Sequence, residues 1–318
     1  MIVLEIVVPT EGAGLRLDRF LPQALEAKGE TISRSALQQW IKDGQLTVDG
    51  KPWRGRDKLT GGETLILEAE LAPEGNWQAE EIPLNIIYED DHIIVINKPA
   101  DLVVHPAAGN QDGTLLNGLL HHCPQLENIP RAGIVHRLDK DTTGLMVVAK
   151  TLQAQNNLVG QLQDRSMGRE YEAVVQGVMT GGGKVDQPIG RHGTQRTKMA
   201  VNPMGKEALT HYRVLKKFPT HTYIRLKLET GRTHQIRVHM SHIGYPLVGD
   251  STYAARTRLT KGIGPELRDT LLHFGRQALH ARKLGLIHPD TDEWMEWEVD
   301  LPQDFIHLLD VLEADAER

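Results

Sequence analysis

Cysteine is almost missing from this 318-residue chain, whose single example is Cys123. That excludes an internal disulfide and any cysteine-based zinc cluster, and the lone thiol reads as a small buried or half-buried side chain. Long apolar runs are missing too: none approaches the roughly 18 residues that a membrane span needs. The opening Met1-Ile2-Val3-Leu4-Glu5 has neither the basic region nor the small-residue cleavage site of a signal peptide, so a cytoplasmic protein is expected. Metal and nucleotide motifs are also wanting. His234 and His239 are five apart, not the four of His-Glu-x-x-His, and no carboxylate is placed to complete a site with His239 and His242. Gly181-Gly182-Gly183-Lys184 runs into Val185, where a P-loop requires Ser or Thr. No metal, no cofactor and no nucleotide is expected.

A net positive charge is absent as well, since the chain sums to −6. The distribution says more than the sum. Eight acids and no Lys or Arg lie between Glu68 and Asp91, and eleven acids with one base, Arg318, lie from Asp290 onward. From Arg191 to Met240 the balance reverses, with eleven Lys or Arg against two acids, Glu207 and Glu229. Field depends on local charge, so a strongly positive middle can bind phosphates. Hydrophobic residues at 40% and charged residues at 25% are those of an ordinary globular protein, long enough for two or three domains.

The pattern along the chain predicts an α+β protein: a small N-terminal domain over 12–75, a linker over 76–82 and a second domain over 83–318. In the first, Arg16-Leu17-Asp18-Arg19-Phe20-Leu21 opens an amphipathic helix, and Ser33 caps a second helix that Gly44 ends. Leu46-Thr47-Val48 with Asp49-Gly50 reads as a strand and tight turn, and Gly61-Gly62-Glu63 as a turn before strand Thr64-Leu65-Ile66-Leu67. In the second, Leu84 to Lys98 reads as a hairpin with an acidic turn, and 114–122 as a helix. Further strands are expected at 145–149, 171–178, 208–215, 222–228 and 281–287, and helices at 151–164, 232–242 and 303–316. Strands joined by short loops imply a mixed, mainly antiparallel sheet with flanking helices.

The most informative stretch is His136-Arg137-Leu138-Asp139-Lys140-Asp141-Thr142-Thr143-Gly144-Leu145. Asp139 stands two residues after an arginine, before a Thr-Thr-Gly turn and a buried apolar run. An adjacent positive charge keeps a carboxylate ionised, suited to attack or to stabilise charge and poorly suited to donate a proton. On these residues alone, a structural ion pair explains the pattern as well as a reactive acid does. Asp141 is the rival carboxylate and reads as a turn or capping residue.

This decapeptide resembles the signature of the RNA pseudouridine synthases that modify ribosomal and transfer RNA. Two further strings match that family in order: Arg169-Glu170-Tyr171 at a strand start, and Gly231-Arg232-Thr233-His234-Gln235-Ile236-Arg237. The resemblance implies that Asp139 is catalytic, either attacking the anomeric carbon or removing a neighbouring ribose proton. It implies that Tyr171 stacks on a flipped-out base, worth about 1–3 kcal/mol, or accepts a proton from it. Arg232 is assigned to the ion pair with Asp139, and Ile236 to the pocket wall if Arg232, Ile236 and His239 share a helix face. Arg137 is expected to reach the RNA backbone or help flip the nucleotide, with Arg191, Arg196, Lys198 and Arg237 as phosphate contacts. The first segment resembles the S4 RNA-binding domain, which implies an RNA face made by Arg34, Lys42 and the loop with Lys51, Arg54, Arg56 and Lys58. Likeness to the branch that modifies the large ribosomal subunit implies 23S rRNA or a precursor of that subunit as partner, at the helix-69 stem-loop, and a monomer with no membrane partner. Two other classes fit parts of the sequence: a non-catalytic assembly factor built on the S4-like segment, and a hydrolytic nucleosidase, which would want a second carboxylate near Asp139.

Overall fold

The computed structural model describes residues 2–28, 34–69, 77–107, 110–195, 197–254, 256–257 and 259–318. Ser33, the expected helix cap, and Arg196 lie outside the described residues, as does the side chain of Arg34. The chain forms two compact units, Met1–Asn76 and Trp77–Arg318. No helix among the described residues is long and apolar enough to cross a membrane.

The first unit contains β1 (Ile2–Val7), α1 (Leu17–Glu26), α2 (Arg34–Lys42), β2 (Leu46–Val48), β3 (Lys51–Pro52) and β4 (Thr64–Ala69). Its antiparallel sheet has the order β1-β4-β2-β3, so the fold begins with β1 and not at residue 12. Asp49 and Gly50 both have positive φ, the turn that matches the twist of a two-residue hairpin. Leu17, Leu21 and Leu25, one α-helical turn apart, meet Leu37, Trp40 and Ile41 of α2 over Leu46, Val48, Leu65 and Leu67. Lys42, Lys51, Arg54, Arg56 and Lys58 are left exposed.

The second unit runs β5 (Ile86–Glu89), β6 (Ile93–Lys98), α3 (Leu115–His122), β7 (Thr143–Ala149), α4 (Leu152–Gln163), β8 (Gly168–Gln176), β9 (Gly183–Asp186), β10 (Ile189–Arg191), β11 (Met199–Val201), β12 (Leu209–Lys217), β13 (His221–Leu228), α5 (Gln235–His242), α6 (Pro265–His273), β14 (Leu279–Ile287), β15 (Trp294–Glu298) and α7 (Gln303–Ala316). Nine strands form one sheet in the order β5-β6-β7-β14-β8-β13-β12-β9, with β15 on β14. Its pairings are antiparallel except β7 with β14, while β10 and β11 make a separate ribbon. Residues 77–82, expected in the linker, are instead held on α3. Asn117 Nδ2 donates to the Gln78 carbonyl at 2.8 Å, and the Glu80 N–H donates to the Asn117 carbonyl at 3.1 Å.

Continuous apolar runs set β6 and β7 at the centre, because both faces of each are covered. Ile94, Ile96, Met146 and Val148 face a core with α3 and with Ile236 and Met240 of α5. Ile93, Val95, Leu145 and Val147 face the opposite core with Ala154 and Leu158 of α4. The acidic α7 buries Phe305, Leu308, Val311 and Leu312 against α6, so its charge occupies an outer face. β15 escapes a sequence reading because Trp294-Met295-Glu296-Trp297-Glu298 is short and acidic. Its acids pair instead with Lys283 at 2.7 Å and Arg282 at 3.0 Å.

Gly144 has φ +113, and a Cβ there would stand 2.3 Å from the Ala281 carbonyl. The parallel contact of β7 with β14 therefore requires glycine. Gly144→Ala is expected to lower stability by about 3 kcal/mol, read by urea unfolding; an unchanged midpoint would refute the close approach.

Three enclosed histidines give a pH dependence. Burial, with Arg169 nearby, pushes His136 down to about 3, and burial pushes His221 and His280 each down to about 4. The unfolded chain takes up these protons near pH 6.5 while the folded chain resists them, so stability rises with pH across this window. Thermal melts should show stability falling steadily from about pH 6.5 to pH 4, and replacing His280 by Gln should flatten part of that slope.

Candidate active site

Asp139 sits on the short loop that feeds β7, and the loop is fixed from several sides. Upstream, Arg131, Ala132 and Gly133 are all left-handed, with φ of 55, 50 and 76, a strained run of the kind that collects at functional sites. His136 Nε2 accepts the Val147 N–H at 3.1 Å, which ties the loop to β7. The Thr142 N–H donates to the Asp139 carbonyl at 3.0 Å and closes the turn. Below it lies Lys98, fully buried at the end of β6. Its ammonium donates to the carbonyls of Lys140 at 2.8 Å, Pro99 at 2.7 Å and Leu102 at 2.9 Å. Burial lowers it to about 8, while the nearby carboxylates of Asp141 and Asp139 favour its charge.

The carboxylate meets Arg237, and not Arg232. Arg237 Nη1 donates to Asp139 Oδ2 at 2.9 Å, while its Nε and Nη2 hold Asp250 at 2.7 and 2.9 Å. Asp250 is fully buried and also accepts the N–H groups of Thr252 and Tyr253 at 3.0 and 3.1 Å. The guanidinium carbon lies 5.0 Å from the centre of the Tyr253 ring, a cation–π distance. Burial works against the Arg237 charge, but its hydrogen bonds to Asp250 and the two carboxylates raise its pKa. On the other oxygen, His234 Nε2 stands 3.7 Å from Asp139 Oδ1. Its Nδ1 shares a 2.7 Å hydrogen bond with the Tyr253 hydroxyl, which also accepts the Met199 N–H at 3.0 Å.

Two expectations change here, and for one reason. His234 is left-handed (φ 56, ψ 22), so α5 begins at Gln235 and Arg232 precedes it. Arg232 thus shares no helix face with Ile236 and His239, and its Nε donates to the Glu207 carbonyl at 2.8 Å. Arg237, expected on the RNA phosphates, is instead buried in the ion pair. Ile236 is buried and lines the cleft.

The cleft has a volume of about 720 Å³ and is lined by Asp139, Arg137, Leu138, Tyr171, Arg232 and Ile236, among others, within the range of small-molecule and cofactor pockets. Asp141 is not among its lining residues, and its carbonyl accepts from Arg276 at 3.3 Å. Tyr171 lies on β8 opposite Leu226 and Ala281. Burial raises its phenol, Asp139 adds to the rise and Arg169 opposes it, so the hydroxyl keeps its proton at neutral pH. Arg137 is exposed at the mouth. Arg191 and Lys198 belong to the β10–β11 ribbon and its loop and do not line the cleft. Lys98, Asp250 and Tyr253 escape a motif reading. The signals for them are faint: a lysine and proline ending an apolar run, and an aspartate before a Ser-Thr turn.

The family model for RNA pseudouridylate synthase matches residues 92–242, which span the Asp139 loop, Tyr171 and Arg237. Over 310 residues the chain is 61% identical to ribosomal large subunit pseudouridine synthase D of Pseudomonas aeruginosa, with 98% of this chain and 96% of that one covered. The chain belongs to the RNA pseudouridine synthase family. A second relative, ribosomal large subunit pseudouridine synthase D of Escherichia coli K12, is 54% identical over 99% of this chain and 95% of its own. Among solved structures, human RNA pseudouridylate synthase domain containing 4 superposes with a TM-score of 0.58 at 28% identity, covering 72% of this chain and 93% of its own. Human RNA pseudouridylate synthase domain containing 1 gives 0.52 at 26% identity, covering 73% and 95%. Members of the family isomerise uridine in RNA without redox change.

The ion-pair exchange is testable by stability. Arg237→Met strands two carboxylates and should cost about 3–5 kcal/mol, whereas Arg232→Met should cost about 1 kcal/mol or less. Urea unfolding of both variants decides, and equal costs would contradict the geometry.

Proposed function

We propose that this pseudouridine synthase acts on the large ribosomal subunit RNA, at uridines of the helix-69 stem-loop of 23S rRNA, with Asp139 as the catalytic carboxylate. The observation that carries the assignment is the Asp139–Arg237 pair in a cleft walled by Tyr171. A carboxylate with one oxygen held by a buried cation is fixed in direction. Opening the N1–C1′ bond, turning the base and joining C5 to C1′ takes one proton from C5 and gives one to N1, so the isomerisation balances and needs no water. Asp139 serves either route, attacking C1′ or taking a ribose proton, because both begin from the ionised form. Tyr171 stacks on the uracil once it leaves the helix, and stacking offsets part of the cost of flipping. Arg137, exposed at the mouth, meets the RNA backbone. Single-stranded loops suit such an enzyme, because their bases can be splayed out.

The name shared by the bacterial relatives supports the ribosomal target. The two helices, hairpin and exposed Lys42, Lys51, Arg54, Arg56 and Lys58 of the first unit support an S4-like RNA-binding role. Arg34, Arg191, Arg196 and Lys198 complete the proposed phosphate contacts. The enzyme works in this reading as a cytoplasmic monomer without cofactor.

Purified wild type and Asp139→Asn are incubated with unmodified 23S rRNA, and pseudouridine is mapped by carbodiimide. Wild type should convert helix-69 uridines, and the variant should fall by at least about a thousandfold. An active variant would remove Asp139 from the mechanism. Conversion at other sites alone would move the target.

A further inference from the structure

Arg169 carries a full charge with almost no exposure, at 6%. Among the described residues it has no charged partner, and its Nε has no hydrogen-bond partner. Nη2 reaches the Glu229 carbonyl at a long 3.5 Å. The Glu229 carboxylate turns elsewhere, to His211 at 2.6 Å and Arg165 at 3.3 Å. Among the described residues no carboxylate pairs with Arg169. Gly231 makes room for it, since a Cβ there would stand 2.7 Å from Nη1. A buried, unpaired guanidinium costs free energy in the empty protein, and here it lines the cleft.

Its position suggests the missing anion. Arg169 and Tyr171 are two apart on β8, so they share a face, with their Cα atoms about 6.6 Å apart along the strand. Arg165 and Arg232 line the same cleft, and the charge of Arg232 disfavours that of Arg169 further. A base on Tyr171 carries its ribose phosphates beside it, whereas a uracil carbonyl is neutral and leaves the charge unbalanced. We propose that Arg169 is a phosphodiester subsite, binding a phosphate that flanks the target uridine, and that this cation is left unpaired in the free enzyme to receive it. This rests on the uridine-flipping reading above.

The test joins stability to binding. Wild type, Arg169→Met, Arg169→Lys and Gly231→Ala are compared on a stem-loop RNA with ordinary phosphates and on one with methylphosphonates flanking the target. Arg169→Met should leave the melting temperature of the free enzyme unchanged or raised, and should weaken RNA binding roughly ten- to a hundredfold. The logarithmic salt slope should shrink by about 0.7. Arg169→Lys should recover part of the affinity, and Gly231→Ala, which displaces the guanidinium and keeps its charge, should weaken binding too. On methylphosphonate RNA the gap between wild type and Arg169→Met should close. A lower melting temperature with unchanged affinity would make Arg169 structural and overturn the proposal. An equal loss on both RNAs would also overturn it, placing the acceptor on the base. Affinity is read by fluorescence anisotropy, separately from conversion, so a wild type that binds but converts nothing refutes the uridine reading and leaves the phosphate comparison intact.

Discussion

Arg237 between Asp139 and Asp250 is the interaction on which the site depends. Asp250 takes two of the guanidinium donors and is itself held by two backbone N–H groups. The arginine is therefore anchored before it meets Asp139, and the single Nη1 bond to Oδ2 inherits that rigidity. Two carboxylates and one guanidinium leave one net negative charge on the three groups together. Tyr253 extends the network, with its ring against Arg237 and its hydroxyl joining His234 to the start of β11. A bare ion pair in water would be worth little; burial and this second ring of contacts give it direction.

Much of this was legible from residue types. The Thr-Thr-Gly turn and the apolar run after Asp139 predict a loop feeding a buried strand, and β7 begins at Thr143. Tyr171 and Ile236, both singled out from the motifs, line the cleft. The choice between Arg232 and Arg237 was not legible, because both stand in one motif and the contact with Asp139 spans 98 residues of sequence. Positive φ is uncommon outside glycine even though histidine tolerates it better than most, and the residues around His234 do not mark where the helix starts. Lys98 shows a second kind of opacity. Its three carbonyl partners come from residues 99, 102 and 140, and the last is a contact that no window of sequence contains.

The strand reading succeeded where strands are long and apolar and failed where pairing is decided at a distance. β6, β7 and β8 follow from composition. β15 is short and acidic, and exists because β14 offers it an edge; β1 is apolar and six residues long but lies before the expected start of the first domain. α7 carries an acidic outer face that suggests a solvated tail, yet its apolar face closes a core of its own with α6.

The sheet order has a bearing on when this protein becomes competent. β7 and β8 are joined directly by α4, yet they are not neighbours, since β14 from residues 279–287 is inserted between them. Asp139 precedes β7 and Tyr171 lies in β8, so the separation of acid and ring is set by a strand made more than a hundred residues after Tyr171. Such long-range pairing is slow to form, and it cannot begin while β14 is still inside the ribosome that is making the chain. Throughout most of its synthesis a nascent chain thus lacks the strand that sets the spacing of Asp139 and Tyr171. The cleft lined by Asp139 and Tyr171 therefore cannot be completed until β14 has left the ribosome.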